Sequence, residues 1–423
     1  MFGSFTAGTI NSTNPIMSSS STKRPPWRPE PWEASVAQPV CFGLFVMSIC
    51  DGTGIPLLAL MAALRHLQQR GIHYKIIHTF IWENDVDSIK LGQHLRSSIH
   101  YPGHVTGFKD AKDFPRFCKT VFIPNDVLVL ALTGFPCTRI SRGARMATRH
   151  HDYGLHAPPT NLWWDIHQGY VILQQKVSVC LITFNENVIP ANRIDKNELD
   201  NTAGHCQLMN TIRSEGAPRD RFSWTSIGYS QPTEEVIVVM PPQHLPMGLF
   251  MDSWGSSRMY PVLRAIIPSR LYTLALDPSS IPAAEKAELR KFFLYESRTG
   301  NLVLPNIDTM AMFMAVPPAA TQAFAQAFPC KPTFKLHNKD GQLVEFKCQE
   351  QVWCENCSTI AKALGAAWNT STTARHVSQL LATFAMFCDF PDDITDIILE
   401  EETCKYSKPH YCTDKCVKNR NAL

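Results

Sequence analysis

The stretch Asp126-Val-Leu-Val-Leu-Ala-Leu-Thr-Gly-Phe-Pro-Cys137 constrains the fold of this chain more than any other. Its first half is a short, continuous apolar run of Val and Leu, the pattern of a strand buried on both faces. Such a strand belongs in a parallel sheet covered by helices. Its second half, Thr133-Gly134-Phe135-Pro136-Cys137, is a turn that ends in a thiol. Open α/β sheets hold their ligands at the carboxyl ends of their strands, so a cysteine there is a candidate for chemistry. Buried cysteines are also ordinary small core residues. The neighbours must decide.

Upstream, Val40 to Ile49 reads as a strand, Cys50-Asp51-Gly52-Thr53-Gly54-Ile55-Pro56 as a turn, and Leu57 to Gln69 as a helix. The helix is apolar at Leu57, Leu58, Leu60, Met61, Leu64 and Leu67 and stops at Gly71. Glycines in such a turn let the backbone approach a ligand and leave helix N–H groups aimed at it, although a plain βα turn has the same composition. A second strand, Lys75 to Trp82, ends in Glu83-Asn84. An acid there, after a glycine turn at the first strand, suits the two hydroxyls of a ribose. It lies roughly 30 residues beyond the turn, against about 20 in the dinucleotide fingerprint, which argues against a plain NAD site. A third strand near Ile99 to Phe108 is followed by Asp110, placed for an adenine amino group or simply a solvated loop acid. After the thiol, a helix over Asn161 to Gln175 leads to a buried strand, Val177 to Phe184, and then to Asn185-Glu186-Asn187-Val188.

Charge is informative only locally. The whole chain has 423 residues and a net charge of +3, too mild to imply a nucleic-acid partner. Directly after Cys137, however, come Arg139, Arg142, Arg145 and Arg149, with no acid before Asp152. Beside a candidate nucleophile this run reads as a phosphate-binding loop rather than a solvated one. Further on, Arg219 and Arg221 flank Asp220; in an extended segment both point the same way and can grip one acidic group.

The remaining segments are plainer. Residues 1–37 are polar and then Pro-rich, an expected disordered arm without a secretory signal. Pro39 to Leu64 is apolar and nearly membrane-spanning in length, but Asp51 and its glycines make it a strand, turn and helix. The 14 cysteines are irregularly spaced, unlike a disulfide scaffold, and a reduced intracellular setting is expected. Cys354-Glu-Asn-Cys357 has zinc-knuckle spacing without a second such pair near it; Cys404, Cys412 and Cys416 in the tail, with His410, could complete a site. That spacing is too loose for a usual ligand pattern, and no metal is assigned. Residues 227–363 show no clear period and read as a second, smaller domain; residues 391–423 form a charged, Cys-bearing tail.

In order, the glycine turn, Glu83, Asp110, Pro136-Cys137, Glu186-Asn187-Val188 and Arg219-x-Arg221 resemble the cytosine-5 DNA methyltransferases, most closely the eukaryotic de novo type. The resemblance spans about residues 38–226 and resumes at Leu364-Gly-Ala-Ala-Trp-Asn369, with Arg375-His376 following. It implies an α/β, Rossmann-like S-adenosylmethionine-dependent methyltransferase domain over 38–226, completed by 364–390, with a target-recognition domain over 227–363. It also implies catalytic roles for Cys137, Glu186, Arg219 and Arg221. Cys50, Asp51, Gly52, Thr53, Gly54, Glu83, Asn84, Asp110, Trp368 and Asn369 would hold S-adenosylmethionine, and Arg139, Arg142, Arg145 and Arg149 would contact DNA. Double-stranded DNA, a second copy or a related methyltransferase are the implied partners, and the nucleus the implied location. Three departures stand out: Cys50 replaces a usual phenylalanine, Thr138 a usual amide, and Gly134-Phe135 precede Pro136. Three alternatives stay open: a non-catalytic homologue that regulates a partner enzyme, a tRNA-directed cytosine-5 methyltransferase, and a Rossmann-type binding protein in which Cys137, Glu186, Arg219 and Arg221 coincide by chance.

Overall fold

The continuous apolar runs become the middle of one sheet. The computed structural model describes residues 41–50, 53–95, 100–103, 127–137, 139–141, 153–174, 180–209, 220–232, 267–296 and 301–387. The N-terminal arm, Asp51, Gly52, Asp110, Arg142, Arg145, Arg149, Arg219 and the tail fall outside these residues. Among the described residues the strands of this sheet are β1 (Cys41–Ile49), β2 (His73–Trp82), β3 (His100–Gly103), β4 (Leu128–Thr133), β5 (Cys180–Asn187), β6 (His205–Met209) and β7 (Arg221–Thr225). Their order is β3-β2-β1-β4-β5-β7-β6. The first five run parallel, and β7 lies antiparallel between β5 and β6. The protein is therefore mixed α/β with a mostly parallel central sheet, an architecture compatible with a Rossmann-like fold.

The apolar runs explain why β1 and β4 are central. All six residues of β4 are buried. Leu128, Leu130 and Leu132 enter one core, while Val129 and Ala131 enter the other. Phe45, Met47 and Ile49 alternate with Leu44 and Val46 in the same way. Each fully buried aliphatic side chain contributes about 1.5–3 kcal/mol, so a strand with two apolar faces is stable only between two helical layers.

Those layers come from both ends of the chain. On the face of Leu44 and Leu130 lie α1 (Ile55–Gln69) and α2 (Val86–Leu95). On the opposite face lie α3 (Leu162–Ile172) and α4 (Arg193–Ala203), anchored by the buried Trp163 and Leu199. The chain then supplies α5 (Ile267–Leu276), α6 (Ala283–Arg290), α7 (Ile307–Phe313), α8 (Pro318–Ala327), α9 (Glu355–Ala366) and α10 (Thr370–Phe387). Their buried residues, including Leu271, Met310, Phe324, Ile360 and Leu380, continue the first core without a break. Helix α10 crosses α1 where Ala59 and Ala374 meet, both fully buried and small enough for close approach. A short 3-10 turn (Pro278–Ser280) and two antiparallel strand pairs complete the described elements: β8 (Leu294–Glu296) with β9 (Asn301–Val303), and β10 (Thr333–His337) with β11 (Leu343–Lys347).

Candidate functional site

Strands β1 and β4 are neighbours, and the chain leaves them toward opposite sides of the sheet order, β2 and β3 on one side and β5 onward on the other. Such a switch point opens a crevice at the carboxyl ends of the strands, where α/β folds bind ligands. The residues singled out from the sequence collect there. Cys50 closes β1 with a positive φ of 54°, and its N–H donates to the Trp82 carbonyl at 2.8 Å. Gly54 caps α1 at φ 75°, a left-handed conformation that favours glycine, and Pro56 sits in the helix's first turn. At the end of β2, Glu83 Oε1 accepts from the N–H groups of Asn84 at 2.6 Å and Asp85 at 3.0 Å. This holds the carboxylate at the rim of the crevice.

The thiol and the acid are set by the ends of β4 and β5. Register pairs Thr133 with Asn185, so the Gly134–Cys137 turn and Glu186-Asn187 leave the sheet side by side. Asn187 Nδ2 donates to the Phe135 carbonyl at 2.8 Å in a buried bond, tying the Cys137 turn to β5. Glu186 is 6% exposed, and Arg221 Nε lies 3.1 Å from its Oε1. Arg221 opens β7, whose antiparallel pairing opposes Glu186 to Ser223 and so brings the cation alongside the acid. Its Nη1 donates to the Asp220 carbonyl at 2.8 Å, a second point of attachment. Cys137 is half-buried against the second core, and its carbonyl accepts from Ile140 at 3.2 Å and Ser141 at 3.1 Å.

Below this pair runs a buried polar chain. Tyr170 donates to Asn185 Oδ1 at 3.0 Å and is 2.5 Å from Thr133 Oγ1, which must then be the donor to the phenol oxygen. Asn185 Nδ2 donates to the Trp224 carbonyl at 3.2 Å. Burial pushes the Tyr170 phenol far above its ordinary value, so it stays protonated. The chain braces β4, β5 and β7 with satisfied hydrogen bonds, which fixes their ends rigidly. A second network links Ser223 Oγ, Tyr229 OH at 3.2 Å and His376 Nδ1 at 2.8 Å.

The segment between α9 and α10 returns to the crevice. A Cβ on Gly134 would come within 2.6 Å of Trp368 Nε1, so only glycine permits that indole to lie against the turn. Trp368 also packs on Phe184, ring centroids 5.7 Å apart. Asn369 caps α10, its Oδ1 accepting from Thr372 N at 2.9 Å. Four buried polar atoms here, in the first turn of α10 and in the β1–α1 turn have no hydrogen-bond partner among the described residues: Thr53 Oγ1, Asn369 Nδ2, Thr370 Oγ1 and Thr373 Oγ1. An unsatisfied buried hydroxyl or amide costs about 1–3 kcal/mol. Hydroxyls, an amide donor and the Glu83 carboxylate make a donor and acceptor set that fits a polar nucleoside-like ligand.

Thus Cys50, Thr53, Gly54, Glu83, Asn84, Trp368 and Asn369 gather at one end of the sheet, as do Cys137, Glu186 and Arg221. Arg139 donates through Nε to the Pro158 carbonyl at 3.1 Å and through its N–H to Thr160 Oγ1 at 3.2 Å. The supporting residues Thr133, Tyr170, Asn185, Thr370 and Thr373 carry no sequence signal as single letters. The Thr370-Ser-Thr-Thr373 run beside Trp368-Asn369 was the one available hint. Compared with protein-family profiles and with curated proteins, the chain matches none.

Proposed function

We propose that the crevice is an S-adenosylmethionine-dependent methyl-transfer site. The particular activity that suits its residues is methylation of cytosine at C5 in double-stranded DNA. The observation that carries this reading is the join between β4 and β5, where the Asn187–Phe135 bond keeps the Cys137 turn beside the Glu186–Arg221 pair. A core cysteine explains the thiol's position but not a buried, ion-paired acid on the adjoining strand end.

Cytosine C5 is a weak nucleophile, and a covalent detour makes it a better one. The Cys137 thiolate adds to C6, forming an S–C6 bond and moving the C5–C6 π pair toward C5. Glu186, held by Arg221, carries a proton from solvent to N3 and so neutralises the charge that builds on the ring; the proton returns when the thiolate leaves. When bound, S-adenosylmethionine supplies the electrophilic methyl group. Loss of the C5 proton to a base then expels the thiolate and restores the double bond. The target carbon is hidden in a duplex, so the base must leave the stack. Arg139 and the following arginines are suited to the backbone phosphates on either side. In the cofactor part of the crevice, Glu83 suits the ribose hydroxyls, and Thr53 and Asn369 offer the unpartnered hydroxyl and amide. A nuclear protein with DNA as its partner follows from the same reading.

Duplex DNA carrying 5-fluorocytosine tests it, because fluorine at C5 cannot leave as a proton. With S-adenosylmethionine present, the native chain should form a covalent complex stable to denaturing electrophoresis, and Cys137→Ser should form none. An adduct with Cys137→Ser, or methyl transfer with no adduct, overturns the assignment.

A further inference from the structure

Cys354 and Cys357 meet partners in the fold other than the tail residues. Cys404, Cys412, Cys416 and His410 fall outside the described residues. Instead, Cys330 and Cys348 join the pair, and all four Sγ atoms lie within 4.8 Å of one another. None of the four is in a disulfide. Cys330 precedes β10, Cys348 directly follows β11, Cys354 caps the N-terminus of α9 and Cys357 lies in its first turn.

We propose that Cys330, Cys348, Cys354 and Cys357 bind one zinc ion as a closed structural site. Four thiolates about 2.3 Å from zinc form a tetrahedron with edges of about 3.8 Å, so the quartet needs to contract by about 1 Å at most. The backbone is already arranged for charged sulfur. The Cys354 N–H donates to Cys348 Sγ at 3.1 Å, and the Lys331 N–H donates to Cys354 Sγ at 3.3 Å. Such N–H···S bonds are the outer contacts that orient metal thiolates. The amino end of α9 adds a positive dipole at Cys354 and Cys357. Simple core packing accounts for Cys354 and Cys357, both fully buried, but not for Cys330, which is exposed. Four protein ligands leave no open position, which marks a structural rather than a catalytic ion.

The hairpin gives the ion its purpose. Residues of β10 and β11 are mostly exposed, and Phe334 stacked on Phe346 is their main apolar contact. A two-stranded ribbon of this kind is marginal in water by itself. Two ligands bracket it at its open end and two lie on α9, so one ion fastens the ribbon to the helix.

The test is the metal content of the full chain purified without chelator, which does not depend on the methyl-transfer reading. About one zinc per chain is expected, released on titration with a mercurial that consumes four thiols. Cys330→Ser and Cys357→Ser should each lose most of the zinc, while Cys404→Ser and Cys412→Ser keep it. Cobalt(II) added to the metal-free native chain should give the visible bands of tetrahedral thiolate coordination, a readout independent of how the variants fold. A native chain without zinc, iron in its place, a disulfide among the four, or zinc lost only in the tail variants would each overturn the site.

Discussion

Replacing Arg221 by Met probes the Glu186 pair most directly, because it keeps the length of the stem and removes only the charge. The ions are 3.1 Å apart, and their side chains are 17% and 8% exposed for Arg221 and Glu186. At that separation and an effective dielectric of about 20, the Coulomb attraction is about 5 kcal/mol before desolvation is subtracted. Removing one partner of a buried pair costs about 3–5 kcal/mol, since the other charge stays buried. The partial exposure here places Arg221→Met near 3 kcal/mol. Glu186→Gln should cost less, because the guanidinium it leaves behind is the more exposed partner and keeps its bond to the Asp220 carbonyl. A double-mutant cycle should therefore give a coupling of about 2 kcal/mol. Hydrogen exchange on peptides spanning β5 and β7 reads the local opening energy, and 3 kcal/mol corresponds to roughly 100-fold faster exchange. A coupling under about 0.5 kcal/mol, or unchanged exchange in Arg221→Met, would refute the claim that this pair holds the two strand ends together.

Thr53→Val removes a buried hydroxyl that has no partner among the described residues, so the melting temperature should hold or rise. The same change should weaken S-adenosylmethionine binding about 3- to 10-fold by calorimetry; a destabilised variant with unchanged affinity would make the hydroxyl structural. Burial, and then the neighbouring Arg375, pull His376 down to about 3. The unfolded chain binds a proton there near the ordinary value of 6.5 and the folded chain does not, so stability is full above that pH. It then falls by up to about 1.4 kcal/mol per pH unit as pH drops from 6.5 toward 3. His376→Gln should flatten this acid limb in melts between pH 4 and pH 7.5, and identical limbs would assign the loss to other groups.

Strands β1, β2, β4 and β5 were legible because they are continuous apolar runs, and their ends were placed within a few residues; β6 and β7 were not anticipated. Strand β5 is the instructive difference. Its apolar run stops at Phe184, yet the strand continues to Asn187 because β7 pairs with Phe184–Asn187 from the other side. Polar letters gave no sign of that pairing. Helix α1 begins at Ile55 rather than Leu57, since Pro56 is a first-turn residue and not a break. The same misreading made the later region look irregular: Pro268 and Pro318 lie at helix starts. The site residues Cys137, Glu186 and Arg221 were visible as letters at strand ends. Their mutual support through Asn187, Asn185 and Tyr170 was not, because those contacts span up to 52 residues. The cysteine quartet was hidden for a similar reason, as a hairpin must fold before Cys330 and Cys348 become neighbours.

Trp368 lies against Gly134, and Asn369 and Thr53 each contribute to the crevice from opposite ends of the chain. This has a consequence for how the protein comes into being. A ribosome adding about 5–20 residues per second makes the β1–α1 turn roughly 15–60 s before it makes Trp368. During that interval β1, β2, β4 and β5 can already pair, with α1 lacking the helix that crosses it at Ala374. The nascent sheet must therefore wait with its apolar α1 face open, and it is in that window that a chaperone would be needed. A fragment ending before α9 carries Cys137, Glu186 and Arg221 but lacks the wall that Trp368 builds.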